Sequence, residues 1–189
     1  MIFTSKMKMF SILFMLISIN AYSQTTATDE HFPDDWLGTY KGKMYIIKQG
    51  KGIIDSADVK LELLATNISS QWVYRMTYNN SRYREIIKDY LLVKPDSVVT
   101  GSYLLDEKDG IIIQQTLLGN TFYSSFTVAG DYINSIMRKT GNVIEFEVFS
   151  ARKKESLSTK NRAKEGQIVF EVKSYPPFTT QRVRLIKEN

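Results

Sequence analysis

The chain has 189 residues, 43% of them hydrophobic, a formal charge of +5 at pH 7, a single histidine and no cysteine. The missing thiols exclude a disulfide framework, a cysteine nucleophile and a thiolate metal centre. The length suits one domain with a sizeable hydrophobic core.

The first twenty-three residues, MIFTSKMKMFSILFMLISINAYS, read as an export signal. Lys6 and Lys8 form a positive start, Met9 to Ile19 is an apolar run, and Ala21 and Ser23 occupy the small-residue positions of a cleavage site before Gln24. That run is too short to cross a ~30 Å hydrocarbon core, which needs about 20 residues. A retained signal anchor is the alternative; processing instead gives a soluble chain in the periplasm or outside the cell. Residues 24–31 are polar and predict a flexible mature N-terminus ending at His31, which sits among acidic neighbours in DEHFPDDW. His31 is expected to be solvated, because no G-x-S-x-G step accompanies it to complete a nucleophilic triad.

From Trp36 onward, β-branched and aromatic residues alternate with polar ones, interrupted by turn residues every eight to twelve positions. This predicts strands over 38–48, 57–66, 71–79, 83–93, 98–105, 110–118, 121–129, 131–139, 142–150 and 167–174, with an eleventh run over 179–187. Two of these can merge, so about ten strands are expected. Short connections such as KQGKG, TYNNSR, DEKDG, LGNT and TGN favour hairpins between sequential neighbours. Such a meander must protect its edges, either by closing into an up-and-down barrel or by splitting into a two-sheet β-sandwich. Strict alternation favours an all-β antiparallel barrel over 32–189.

The alternation also predicts which residues face inward. Tyr40 and Met44 share one side of the first run, and Trp72, Tyr74, Met76 and Tyr78 share one side of the third. Later runs contribute Phe122, Phe126, Phe146 and, with Ile168 and Val172, Phe170. An interior this aromatic either packs itself or encloses an apolar cavity.

Two stretches carry a family resemblance. FPDDWLGTYKG resembles the opening of the calycin barrels, the lipocalins and fatty-acid-binding proteins, in which a turn or short helix caps one end and G-x-W opens the first strand. Gly38-Thr39-Tyr40 matches with tyrosine in place of tryptophan. TQRVRLIK resembles the last strand of such barrels, which supplies an arginine near that aromatic; Arg182 and Arg184 are the matching residues. The middle of the chain is similar in overall pattern to secreted bacterial lipocalin-like proteins of unassigned function. The resemblance implies an internal site for a small apolar or amphipathic ligand. It offers no axial histidine for haem, because His31 precedes the barrel.

No cofactor, metal or catalytic motif appears. Glu145 and Glu147 would stand on one strand face about 7 Å apart, a spacing compatible with glycoside hydrolysis, but alternation puts that face outside. Asp106, Glu107 and Asp109 lack EF-hand spacing and read as a hairpin turn. Residues 151–166 hold six basic and two acidic residues, so nearly all the net charge belongs to this segment. Without interleaved aromatics it does not suit nucleic acid; a solvated hairpin is expected, with contact to an anionic lipid or glycan surface as the sharper reading. The resulting expectation is a non-catalytic binder of a small hydrophobic or amphipathic molecule, with Tyr40, Met44, Trp72, Tyr74, Met76, Phe126, Phe146, Phe170, Arg182 and Arg184 forming the site. The alternatives are a filled-core envelope module that contacts a protein or glycan through its loops, and a barrel-based enzyme.

Overall fold

A computed structural model describes residues 31–96, 99–162 and 168–189. The expected export signal and nearly all of the polar N-terminus lie outside the described residues. Ten strands form a closed antiparallel barrel, and among the described residues there is no helix. In chain order they begin with β1 (Gly38–Lys48), β2 (Gly52–Ala65), β3 (Gln71–Asn80), β4 (Tyr83–Val93) and β5 (Ser102–Asp106). They continue with β6 (Ile112–Leu118), β7 (Thr121–Val128), β8 (Asp131–Thr140) and β9 (Val143–Arg152). The outlying strands β10 (Leu157–Lys160) and β11 (Glu171–Ser174) come next, and β12 (Pro177–Lys187) ends the series. Neighbours pair as a meander, and β12 closes the ring between β9 and β1. The predicted pairing of 38–48 with 179–187 is present, from Tyr40 opposite Lys187 to Lys48 opposite Thr179. The meander therefore closes and does not divide into two sheets.

One expected barrel strand is elsewhere. Part of the run 167–174 forms β11, which pairs only with β10 in a two-stranded ribbon outside the barrel. Its place in the ring is taken by β12, whose register with β9 runs from Ile186 opposite Val143 to Pro177 opposite Ala151. The ribbon leaves from the end where β9 stops and β12 starts. A second difference is that β2 begins at Gly52, not near 57, because the preceding turn is short and both Gly50 and Gly52 adopt positive φ.

The other end of the barrel is sealed by the chain's own N-terminal turn. Trp36 N–H and Leu37 N–H both donate to the Pro33 carbonyl, folding residues 32–36 into a compact plug. The peptide bond before Pro33 is cis. Phe32 lies at the centre of an aromatic cluster, with its ring centroid 4.8–5.9 Å from those of Trp36, Trp72, Tyr103 and Phe122 in edge-to-face contacts. Such contacts contribute about 0.5–1.5 kcal/mol each beyond their buried area. Trp36 and Tyr40 are fully buried, and the Tyr40 hydroxyl donates to the Trp36 carbonyl at 2.8 Å. The plug is thereby tied to the first residues of β1.

The cation beside Tyr40 is not one of the expected arginines. Lys187 Nζ lies 5.9 Å from the Tyr40 ring centroid. In RVRLI the inward positions belong to Val183 and Leu185, both buried, so Arg182 and Arg184 point to solvent. Gly38, at φ 145°, leaves room for the Lys187 stem, which would lie 2.6 Å from a Cβ at that position.

Gly42 sets the closeness of the β1–β12 seam. A Cβ there would collide with the Arg184 backbone carbonyl. Gly42→Ala should destabilise the barrel by about 1–3 kcal/mol, as overpacking does. Lys41→Ala, which removes only an exposed ion pair with Glu188, should change stability by less than about 1 kcal/mol. Paired denaturant titrations measure both. Tyr40→Phe keeps the ring but leaves a buried carbonyl without its donor, and should cost about 1–3 kcal/mol in the same assay.

Candidate functional site

Beyond the plug, the interior is only partly filled. The wall made by β1, β2 and β12 is packed with Met44, Val59, Leu61, Val183 and Leu185. The opposite wall, from β3 to β9, encloses a cavity of about 180 Å³. The cavity exists because Ser124 and Ser135 face each other across β7 and β8 in positions where other strands bring bulky side chains. Their hydroxyls bond to one another at 3.1 Å, which satisfies both without filling the space.

Tyrosines and methionines line the adjoining wall. Alternation on β3 turns Tyr74, Met76 and Tyr78 inward, and β4 adds Tyr90, stacked on Tyr74 at 6.5 Å between centroids. The Tyr74 hydroxyl points at two sulfurs, Met76 Sδ at 3.6 Å and Met137 Sδ at 3.8 Å. The Tyr78 hydroxyl donates to Met76 Sδ at 3.3 Å. Thioether sulfur is a weak acceptor, so these donors are held inside the barrel but poorly satisfied.

Charged groups stand at the rim. Lys88 and Glu107 both line the cavity, and the Glu107 carboxylate lies near the Tyr90 hydroxyl. Burial pushes the Tyr78 hydroxyl up to about 12, and raises Tyr74 further because Tyr78 and Tyr90 are also close. Burial also raises Tyr90, reinforced by the nearby Glu107 charge. All three tyrosines are therefore neutral donors at ordinary pH.

Four of the expected site residues meet in this cavity: Tyr74, Met76, Phe126 and Phe146. Tyr40 and Trp72 are buried at the plug, and Met44 lies in the filled wall, so all three are core residues apart from the cavity. Phe170 is 64% exposed on the outlying ribbon, which corrects its expected inward placement. Arg182 and Arg184 are likewise on the outer surface, with Arg182 Nε 2.8 Å from Glu147 Oε1. Alternation already marked Tyr78 as inward; Ser124, Ser135 and Gln115 carried no such signal, because polar residues usually mark the wet face.

The other sequence candidates have ordinary roles. The Glu147 carboxylate accepts from Arg182 and Thr180 on the outer face, and Glu145 is exposed there. Asp106 and Asp109 accept backbone N–H groups within the β5–β6 turn. His31 is exposed, and its backbone N–H donates to Asp35. Among the described residues, no group of three or more histidine or acidic side chains is placed to hold a metal.

No protein-family model and no curated protein matches the chain. The fold is similar to the crystal structure of a protein of unknown function from the DUF3598 family, from Nostoc punctiforme, with a TM-score of 0.53 and 11% identity. The match covers 82% of this chain and 48% of the other, so this chain spans about half of that protein's length. At that identity the likeness shows the barrel fold alone.

The raised tyrosines make stability depend on alkaline pH. Their neutral forms are favoured only in the folded state, so an unfolded chain loses these protons first as pH rises past about 10. Stability should fall from about pH 10, through the Tyr78 value of about 12, and beyond. Denaturant unfolding across this range should show the decline, and Tyr74→Phe with Tyr78→Phe should flatten it.

Proposed function

We propose that the chain is an exported, lipocalin-like barrel that binds a small amphipathic molecule in its interior and catalyses nothing. The observation that carries this reading is the pairing of the Tyr74 and Tyr78 hydroxyls with thioether sulfurs inside a mostly apolar cavity. A ligand oxygen offered to either hydroxyl replaces a weak acceptor with a strong one, at little desolvation cost to the protein. Phe122, Phe126, Phe146, Ile133 and Val148 supply apolar contact around it. This pattern of apolar walls and a few convergent polar groups is that of small-molecule sites.

Size and charge narrow the ligand class. A volume of about 180 Å³ lies below the ~300–1,000 Å³ of pockets for drug-sized molecules, so the ligand is small. It carries an acceptor at its inner end, a carbonyl, ether or carboxylate oxygen. A polar or anionic outer end would reach Lys88 at the rim. The outward placement of Glu145 and Glu147 supports binding over a carboxylate-pair reaction. Export rests on the charged, apolar and small-residue sequence of 1–23.

Native mass spectrometry of protein purified from its own host should reveal a small adduct that organic extraction removes. Ser135→Phe, which fills the space opposite Ser124, should abolish the adduct while the barrel remains folded. Tyr78→Phe should weaken rebinding of the extracted compound about 10-fold, the equivalent of one hydrogen bond. Protein that carries no adduct and takes up none of its host's extracted lipids would end this reading.

A further inference from the structure

The β10–β11 ribbon is amphipathic. Cross-strand partners share a face, so Leu157, Thr159 and Val172 stand on one side, where the strand pairing continues through Asn161 to Phe170. Ser158, Lys160, Glu171 and Lys173 stand on the other. Leu157, Val172 and Phe170 are 57%, 56% and 64% exposed, and the adjoining Ile168 reaches 72%. Phe170 is not loosely placed, since its N–H donates to Asn161 Oδ1 at 2.6 Å. An isolated two-stranded ribbon is marginal in water, and a contiguous exposed apolar face of this kind marks a contact surface.

Charge indicates what covers it. Lys160 and Lys173 stand on the polar face of the ribbon, and Lys153, Lys154 and Arg162 lie just outside its paired strands in sequence, against only Glu155 and Glu171 in the described part of this segment. Glu155 is already paired with Lys173 at 3.5 Å. A ribbon with an excess of cations and one face of aliphatic and aromatic side chains matches the chemistry of an anionic bilayer surface, which attracts the cations and accepts the apolar residues below its headgroups. The base of the ribbon is firmly seated on the barrel. Lys153 N–H donates to the Gly130 carbonyl, the Tyr132 and Tyr175 rings meet edge to face at 5.1 Å, and the Arg152 guanidinium lies 4.6 Å from the Phe178 ring centroid. All of these contacts are at the end opposite the plug.

We propose that the β10–β11 ribbon docks the barrel on anionic phospholipid membranes through Leu157, Phe170 and Val172, with its unplugged end toward the lipid. This inference does not depend on occupancy of the cavity. Protein in the form its host produces should co-sediment with vesicles of phosphatidylcholine containing 30% phosphatidylglycerol, and at least 10-fold more weakly with phosphatidylcholine alone. Phe170→Ser combined with Val172→Ser should reduce binding to the anionic vesicles at least 10-fold without changing the melting temperature of the barrel. Lys153→Gln with Lys154→Gln should weaken binding and lessen its salt dependence. A serine variant that still binds as tightly, or wild-type protein that ignores anionic vesicles, would overturn the proposal. So would a concentration-dependent dimer in light scattering that the serine variant abolishes, since a second copy would then cover the face. Retained binding to a soluble polyanion by a serine variant that has lost vesicles separates the cations from the apolar anchor and supports lipid.

Discussion

The bond from the Tyr40 hydroxyl to the Trp36 carbonyl joins two jobs that the same short segment performs. Residues 32–36 must leave the chain's polar beginning and stopper the barrel, while β1 must start in register between its two neighbours. A buried hydrogen bond four residues long fixes the distance between these tasks. Phe32 then reaches rings from β3, β5 and β7 at once, so the stopper also holds distant strands together. Trp36 Nε1 is buried without a protein acceptor, an expense set against the contacts its ring makes with Phe32 and Phe122. The sealed end confines the empty space to the other half of the interior.

That space is asymmetric because the inward rows differ in bulk. On the β1–β2–β12 side, aliphatic side chains reach across and pack. On the β7–β8 side, two serines stop short, and their mutual hydrogen bond removes any reason to draw in a neighbour. The tyrosine hydroxyls facing this hollow are held by sulfur, which keeps them ordered without saturating them. The cavity is thus a property of a few small residues within a ring that would otherwise be solid.

Period-two alternation made most of the ring legible in the sequence, because a barrel with one dry face and one wet face imposes that period on every strand. It also placed Tyr74, Met76, Phe126 and Phe146 correctly inside. It misplaced Phe170 for a physical reason: alternation reports that a strand has an apolar face, not what lies against that face. The arginines were legible but misjudged, since Val183 and Leu185 in the same strand already claimed the inward positions. Ser124 and Ser135 could not be read at all. A hollow is made by what is missing, and small polar residues look the same whether they border solvent or a void.

The seam between β1 and β12 has a consequence for how the chain acquires its shape. Every neighbouring pair in the meander can zip up locally, but the ring itself joins the earliest strand to the latest. Until β12 emerges from the ribosome, β1 and β9 are unpaired edges and the aromatic interior has no lid along one side. Contacts this far apart in sequence are slow to form, because the entropy of the long intervening loop is lost before the contacts form. The nascent barrel therefore stays an open, adhesive sheet until β12 is made, and that eleven-residue strand acts as the timer that decides when it stops being one.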